Sequence, residues 1–455
     1  MWTDPTQPAD PYMPGHGDDR YAVQAYDLDL DYAIASNHLS GRATLRCRIL
    51  EATASIDLDL AGTLRVMSVT CAGASLRRHT HRGQRLTLRF TKELPAGAEI
   101  TVTVATRGTP RPLAGIGGTA GWEELDDGVI VASQPHGAPS WFPCNDRASD
   151  KASYRLTITC DAAYTVIANG ALTRRRKAGR KTVWTYEQLE PMAPYLATVQ
   201  IGRYETREVA GAPVPVRIVG PARLRRAIDV AFADQAAMVA AMVDWFGPYP
   251  FAGGYAAVVT DDDLEIPLES QTLATFGANL THRGWEAQRL IAHELAHQWW
   301  GNAVTARQWS DIWIHEGFAC YTEWLWSPLA GGRSTEEWAR HHWARLAELP
   351  QDLIVGAPGA ADMFDDRVYK RGALTVHAVR VAVGEEPFWA LVRSFVAEHR
   401  YAVVSTADFE AHASRVAGVD LSGLFDAWLR SPALPPFSSP ATSLIRGKNA
   451  GESVR

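Results

Sequence analysis

A surplus of positive charge is the first thing this sequence lacks. Its 45 Lys and Arg face 51 Asp and Glu, a formal net charge of -6. A chain without a basic surplus has little to neutralise phosphates with, so no nucleic-acid partner is expected. Cysteine is scarce. Cys47, Cys71, Cys144, Cys160 and Cys320 are odd in number, scattered and without a CxxC pair, which excludes a disulfide framework. No stretch approaches the about 18 consecutive apolar residues of a membrane-spanning helix, so no membrane association is expected. Met1-Trp2-Thr3-Asp4-Pro5 has neither the basic head nor the apolar run of a secretory signal. A cytoplasmic location is the expectation.

What is present fits a soluble globular protein. Apolar residues make up 46% and charged residues 21%, which excludes disordered, collagen-like and coiled-coil classes. The 455 residues suffice for two or three domains. Sixteen Trp suggest sizeable aromatic cores. Residues 1–20, rich in Pro, Asp and Gly, read as a loose lead-in. From 21 to 204 the apolar period is mostly two, as in Leu86-Thr87-Leu88-Arg89-Phe90, Ile100-Thr101-Val102-Thr103-Val104 and Tyr154-Arg155-Leu156-Thr157-Ile158-Thr159. Such alternation predicts an antiparallel β domain. Residues 205–221 read as a connection. From 222 to 430 helical spacing dominates, with short strands expected at Tyr255–Thr260 and Leu268–Phe276 and a capping box at Ser334 and Glu337. Residues 431–455 read as a flexible tail.

His293-Glu294-Leu295-Ala296-His297 carries the chemistry. Positions i and i+4 share a helix face, so both imidazoles can reach one metal, and Glu294 falls where a general base would act on water. The flanks are largely apolar, with Ala287, Leu290, Ile291, Leu295, Ala296 and Trp299 at helical spacing. Burying ionisable groups together is costly unless a metal or partners compensate. Catalytic zinc takes three protein ligands and keeps one position open. Glu316 supplies the third after an interval of eighteen residues, long enough for one helix to end and another to return. Gly301-Asn302 offers the stop. His315 is a neighbour of Glu316 and points about 100° away on a helix, which argues against it as a ligand.

This arrangement resembles the gluzincin metallopeptidases, and the surroundings of Glu316 are similar to those in peptidase family M1, the zinc aminopeptidases. Trp141-Phe142-Pro143-Cys144-Asn145-Asp146, Tyr249-Pro250-Phe251, Ile266-Pro267-Leu268-Glu269-Ser270 and Tyr369-Lys370-Arg371-Gly372 follow family landmarks in order. Two landmarks depart from the pattern. Only the glutamate of the Gly-x-Met-Glu-Asn exopeptidase motif is kept, and Arg371 stands in a lysine's place. The resemblance implies an α+β chain, with a β domain before a thermolysin-like, mainly helical catalytic domain and without the family's large C-terminal helical domain. It also implies one zinc ion per chain on His293, His297 and Glu316, with Glu294 and Tyr369 catalytic. Glu269 and Gln134 would bind the free N-terminus of a peptide substrate.

Each residue also has a plainer reading. Glu269 could be an edge carboxylate, Gln134 an ordinary surface residue and Tyr369 a packed aromatic. Glu323, seven positions after Glu316, could orient a ligand imidazole or form a salt bridge. Trp299 and Trp300 read as core, and Cys144 as a buried small hydrophobe. Alternative functions are a zinc endopeptidase, an epoxide hydrolase on the same scaffold and a non-catalytic interaction protein. The preferred N-terminal residue, the physiological peptide and the oligomeric state are not encoded legibly.

Overall fold

The computed structural model describes residues 10–437. They form two compact units. One comprises residues up to Ala236 together with Tyr249–Ala287; the other comprises Ala237–Pro248 and the residues from Gln288 on.

The first unit is built on sheets. A seven-stranded sheet runs Ala171–Ala178, Lys181–Met192, Ala152–Asp161, Tyr21–Ala33, His38–Ile49, Glu99–Gly108, Leu64–Ala72. All of its pairings are antiparallel except that between Tyr21–Ala33 and Ala152–Asp161. The expected alternation is visible in burial: Ile100, Val102 and Val104 point inward, as do Tyr154, Leu156 and Ile158. A three-stranded sheet and a five-stranded sheet accompany it. Aromatics fill the interior. Tyr26 stacks on Tyr154 at 4.7 Å between ring centroids, and Trp141 meets Phe142 edge-on at 4.5 Å.

The stretch 205–221 is not a linker. Tyr204–Glu208 and Val216–Pro221 are the first two strands of another five-stranded sheet, continued by Tyr255–Val259, Leu273–Phe276 and Leu268–Ser270. The expected strand over 268–276 is a hairpin broken at Thr272, whose φ is 71°. This sheet belongs to the first unit because side chains tie it there. Asn169 Nδ2 donates to Gln271 O at 2.7 Å, and Gln200 Nε2 donates to Thr275 Oγ1 at 2.9 Å.

Eight helices matter here: α1 (Arg225–Ala231), α2 (Gln235–Phe246), α3 (Trp285–Ala296), α4 (Trp313–Leu329), α5 (Thr335–Ala347), α6 (Asp366–Val383), α7 (Glu385–Glu398) and α8 (Thr406–Ala417). The expected capping box opens α5: Ser334 accepts from the Glu337 backbone, and Glu337 accepts from the Ser334 backbone. In the second unit α4 and α6 cross at two glycines. A Cβ built on Gly317 would lie 2.8 Å from the Gly372 carbonyl carbon, so the crossing is backbone against backbone. Trp299 and Trp300 are core, as expected, with Trp300 stacked on Phe318 at 3.6 Å.

Residues 1–9 of the expected lead-in lie outside the described residues, but the described stretches next to the two ends are more tightly held than composition suggests. Within 10–20, the Gly17 amide donates to Asp59 Oδ2 at 2.9 Å, and the Asp18 amide donates to Asn145 Oδ1 at 2.7 Å. Residues 431–437 also make fixed contacts, while 438–455 lie outside the described residues. Arg371 spreads its guanidinium over five carbonyls, those of Ala427, Trp428, Ser431, Pro432 and Ala433, at 2.5–3.1 Å. A lysine ammonium has only three donors and could not satisfy that fan, which gives the Arg in the lysine's place a physical role.

Candidate metal centre

α3 ends at Ala296, so His293 lies within the helix and His297 one residue past it. The helical hydrogen bond from His297 N to His293 O persists at 3.3 Å, which keeps the two rings on one face. The chain then turns through Gly301, at φ 117°, and returns as α4 with Glu316 in its first turn. All three side chains are buried.

Hydrogen bonds fix which nitrogen of each ring is available. His297 Nδ1 donates to Trp300 O at 2.9 Å. His293 Nδ1 lies 2.8 Å from Glu323 Oε1 and donates to it. Nε2 is therefore the nitrogen that each ring turns toward Glu316 Oε2, at 3.3 Å from His293 and 3.6 Å from His297, and it offers a lone pair once any proton it holds is displaced. Bonds of about 2.0–2.2 Å to zinc place tetrahedral donors about 3.3–3.6 Å apart. One donor atom from each of the three residues lies within 4.8 Å of the others. The residues fit zinc in donor type, spacing and tautomer.

The electrostatics match this. Burial pushes Glu316 up, but the charges and hydrogen bonds of His297 and His293 outweigh it and hold the carboxyl well below its usual range. Burial raises Glu294, a shift opposed by His293 and His297; a carboxylate with elevated proton affinity suits a general base. Glu323 accepts from the His293 imidazole and is itself gripped by cations. Arg289 lies 3.4 Å away, and the charge of Lys370 acts on it. Lys370 went unnoticed in the sequence except as part of a motif. It reaches Cys320 Sγ at 3.3 Å and Asp366 at 3.7 Å. The carbonyl partner of His297 could not be found from side-chain types at all.

The other expected residues are placed as follows. The Tyr369 ring on α6 lies 6.1 Å from that of His293 at an interplanar angle of 18°. Gln134 Nε2 donates to Glu269 Oε1 at 2.5 Å within the first unit, so these two residues form a pair. Glu269 is buried on the Leu268–Ser270 strand and Gln134 half-buried. His315 Nε2 accepts from the Ala306 amide at 2.6 Å, a bond that commits this nitrogen to the backbone. Cys144 is fully buried.

Known proteins share this design. The model of the peptidase M1 N-terminal domain matches residues 22–196, and that of the peptidase family M1 domain matches 269–428. A leucyl aminopeptidase of Saccharolobus solfataricus is 23% identical over 91% of this chain, and a glutamyl aminopeptidase of Bitis rhinoceros is 28% identical over 69%. The chain spans 54% of the first relative and 35% of the second. The crystal structure of an M1 zinc metallopeptidase from Deinococcus radiodurans is 30% identical, with a TM-score of 0.86, and the match covers 95% of this chain and 99% of that one. A mutant of that enzyme has been seen with a Tyr-Ser-Ala substrate. With two consecutive family models and a full-length structural counterpart of the same two-domain form, the chain belongs to peptidase family M1.

Proposed function

We propose that this protein is a zinc-dependent aminopeptidase that hydrolyses the N-terminal bond of peptides. The observation that carries the reading is the approach of His293 Nε2 and His297 Nε2 to Glu316 Oε2 at tetrahedral-edge separations, with Glu294 also buried. Zinc held there would supply Lewis acidity, polarising the scissile carbonyl and acidifying a water molecule. The Glu294 carboxylate takes a proton from the attacking water and delivers it to the leaving amine. Tyr369 Oη donates a hydrogen bond to the oxyanion of the tetrahedral state. The Gln134–Glu269 pair holds the substrate ammonium, with the negative charge of Glu269 as the selective element and Gln134 fixing its orientation. An anchor for a free amine is what separates an exopeptidase from an endopeptidase.

A reducing, cytoplasmic setting is supported by five cysteines that form no disulfide, four of them buried. Among the described residues no helix is long and apolar enough to cross a membrane. A panel of fluorogenic aminoacyl substrates, run with and without a chelator, tests the activity. Hydrolysis abolished by chelation and restored by zinc is expected. Equal rates on N-acetylated peptides would refute the exopeptidase reading and favour an endopeptidase.

A further inference from the structure

Where α7 ends and the chain turns back into α8, Glu398, His399 and His412 each bring a donor atom to within 4.8 Å of the others. His412 is buried, and its tautomer is set by its surroundings. Its Nε2 lies 2.9 Å from Ser394 Oγ and 3.3 Å from Leu391 O. The carbonyl can only accept, and Ser394 Oγ itself donates to that same carbonyl at 3.0 Å. Nε2 therefore carries the proton. The Nδ1 lone pair is left facing Glu398 Oε2 at 3.4 Å, close to the edge of a tetrahedral donor set.

A cation already sits at this point of convergence. The Arg415 guanidinium lies 2.8 Å from His412 Nδ1 and 2.9 Å from Glu398 Oε2. That arginine is 58% exposed along its side chain, and exposed ion pairs of this kind contribute little. It can swing into solvent.

We propose that Glu398, His399 and His412 form a second divalent-metal site, separate from the His293 centre, in which the metal replaces the Arg415 guanidinium. Two imidazoles and one carboxylate select zinc or nickel over magnesium. The metal would staple α7 to α8. Between them, Val403–Val404 pairs with Thr305–Ala306, and the Tyr401 amide donates to Ala303 O at 2.8 Å. The staple therefore bears on the segment that follows the ligand His297.

The test uses the full chain with its His293 centre loaded with zinc, dialysed against graded zinc, nickel or magnesium, with bound metal counted by elemental analysis. A further equivalent of zinc or nickel, but not of magnesium, is expected. His399→Ala and Glu398→Gln should each weaken that equivalent by more than the roughly 10- to 100-fold that loss of an outer-shell partner costs. Both should leave the first equivalent intact. Arg415→Ala should tighten the second, because it removes the competing cation. All three positions are at least partly exposed, so the fold should survive, which circular dichroism checks. Absence of a further equivalent, or one indifferent to His399→Ala, would overturn the assignment.

Discussion

Replacing Glu323 by glutamine removes a charge and leaves the shape almost unchanged. Burial pushes this carboxyl up, but Lys370, His293 and Arg289 together hold it down from 4.5 to about 2. The net displacement is downward even though burial acts the other way, so the three cations together outweigh the cost of burying the charge. Glutamine removes the charge that holds the His293 Nδ1 proton in place, which is the first penalty. The amide adds a second penalty. Its NH2 can donate to Nδ1, which would favour the tautomer with the proton on Nε2, the nitrogen that faces Glu316. A loss of zinc affinity between about tenfold and a hundredfold is therefore expected, matching the usual cost of removing an orienting partner. Competition against a chelating fluorophore at fixed pH measures it, with circular dichroism to check folding. A folded Glu323→Gln variant that binds zinc within about twofold of the parent would refute the argument. It would leave Glu323 as a partner of Lys370 and Arg289 only.

Zinc affinity should also depend on pH. In the metal-free protein burial lowers His293, but its hydrogen bonds to Glu316 and Glu323 prevail and raise it from 6.5 to about 9. That proton stabilises the metal-free fold fully below pH 6.5, and the contribution fades as pH rises toward 9. Zinc must displace the proton, so affinity should rise about tenfold per pH unit and flatten near pH 9, as a titration series would show; a flat profile near neutrality would contradict it. Tyr369→Phe should retain zinc and lose about 10²–10³ in kcat, whereas Glu269→Ala should act mainly on KM. Steady-state kinetics on zinc-loaded variants separates the two, and a near-normal kcat for Tyr369→Phe would make that tyrosine a packing residue. Gly317→Ala should cost about 1–3 kcal/mol by overpacking, partly offset by about 1 kcal/mol of helix propensity. An unchanged melting temperature would show that the α4–α6 crossing can yield.

The sequence made the local periods and the proposed metal-binding cluster legible, because both depend on spacing along one or two elements. Alternation at 100–104 and 154–159 gave strands, and the i, i+4 histidines gave one helix face. What escaped depends on distant partners. The mixed sheet of 204–276 reads from the sequence as a connection over 205–221 followed by the start of a helical domain, because the bonds that place it run from Asn169 and Gln200. Residues 10–20 and 431–437 looked loose because their anchors are Asp59, Asn145 and Arg371, far away in sequence. For Glu323, spacing offered two readings. The 2.8 Å bond to His293 and the 3.4 Å contact with Arg289 show that both hold at once.

The glycine crossing of α4 and α6 acts as a hard stop rather than a spring. Glu316 precedes Gly317 by one residue, and Tyr369 precedes Gly372 by three. The offset between a proposed metal ligand and a proposed oxyanion donor is therefore set by two backbones in contact, with no rotamer at the contact to hop or soften. Side-chain packing loosens on heating through rotamer populations, whereas a backbone stop changes only by thermal expansion. The registration of these two groups should consequently hold until the helices part in global unfolding, so activity would end in one cooperative step rather than erode gradually with temperature.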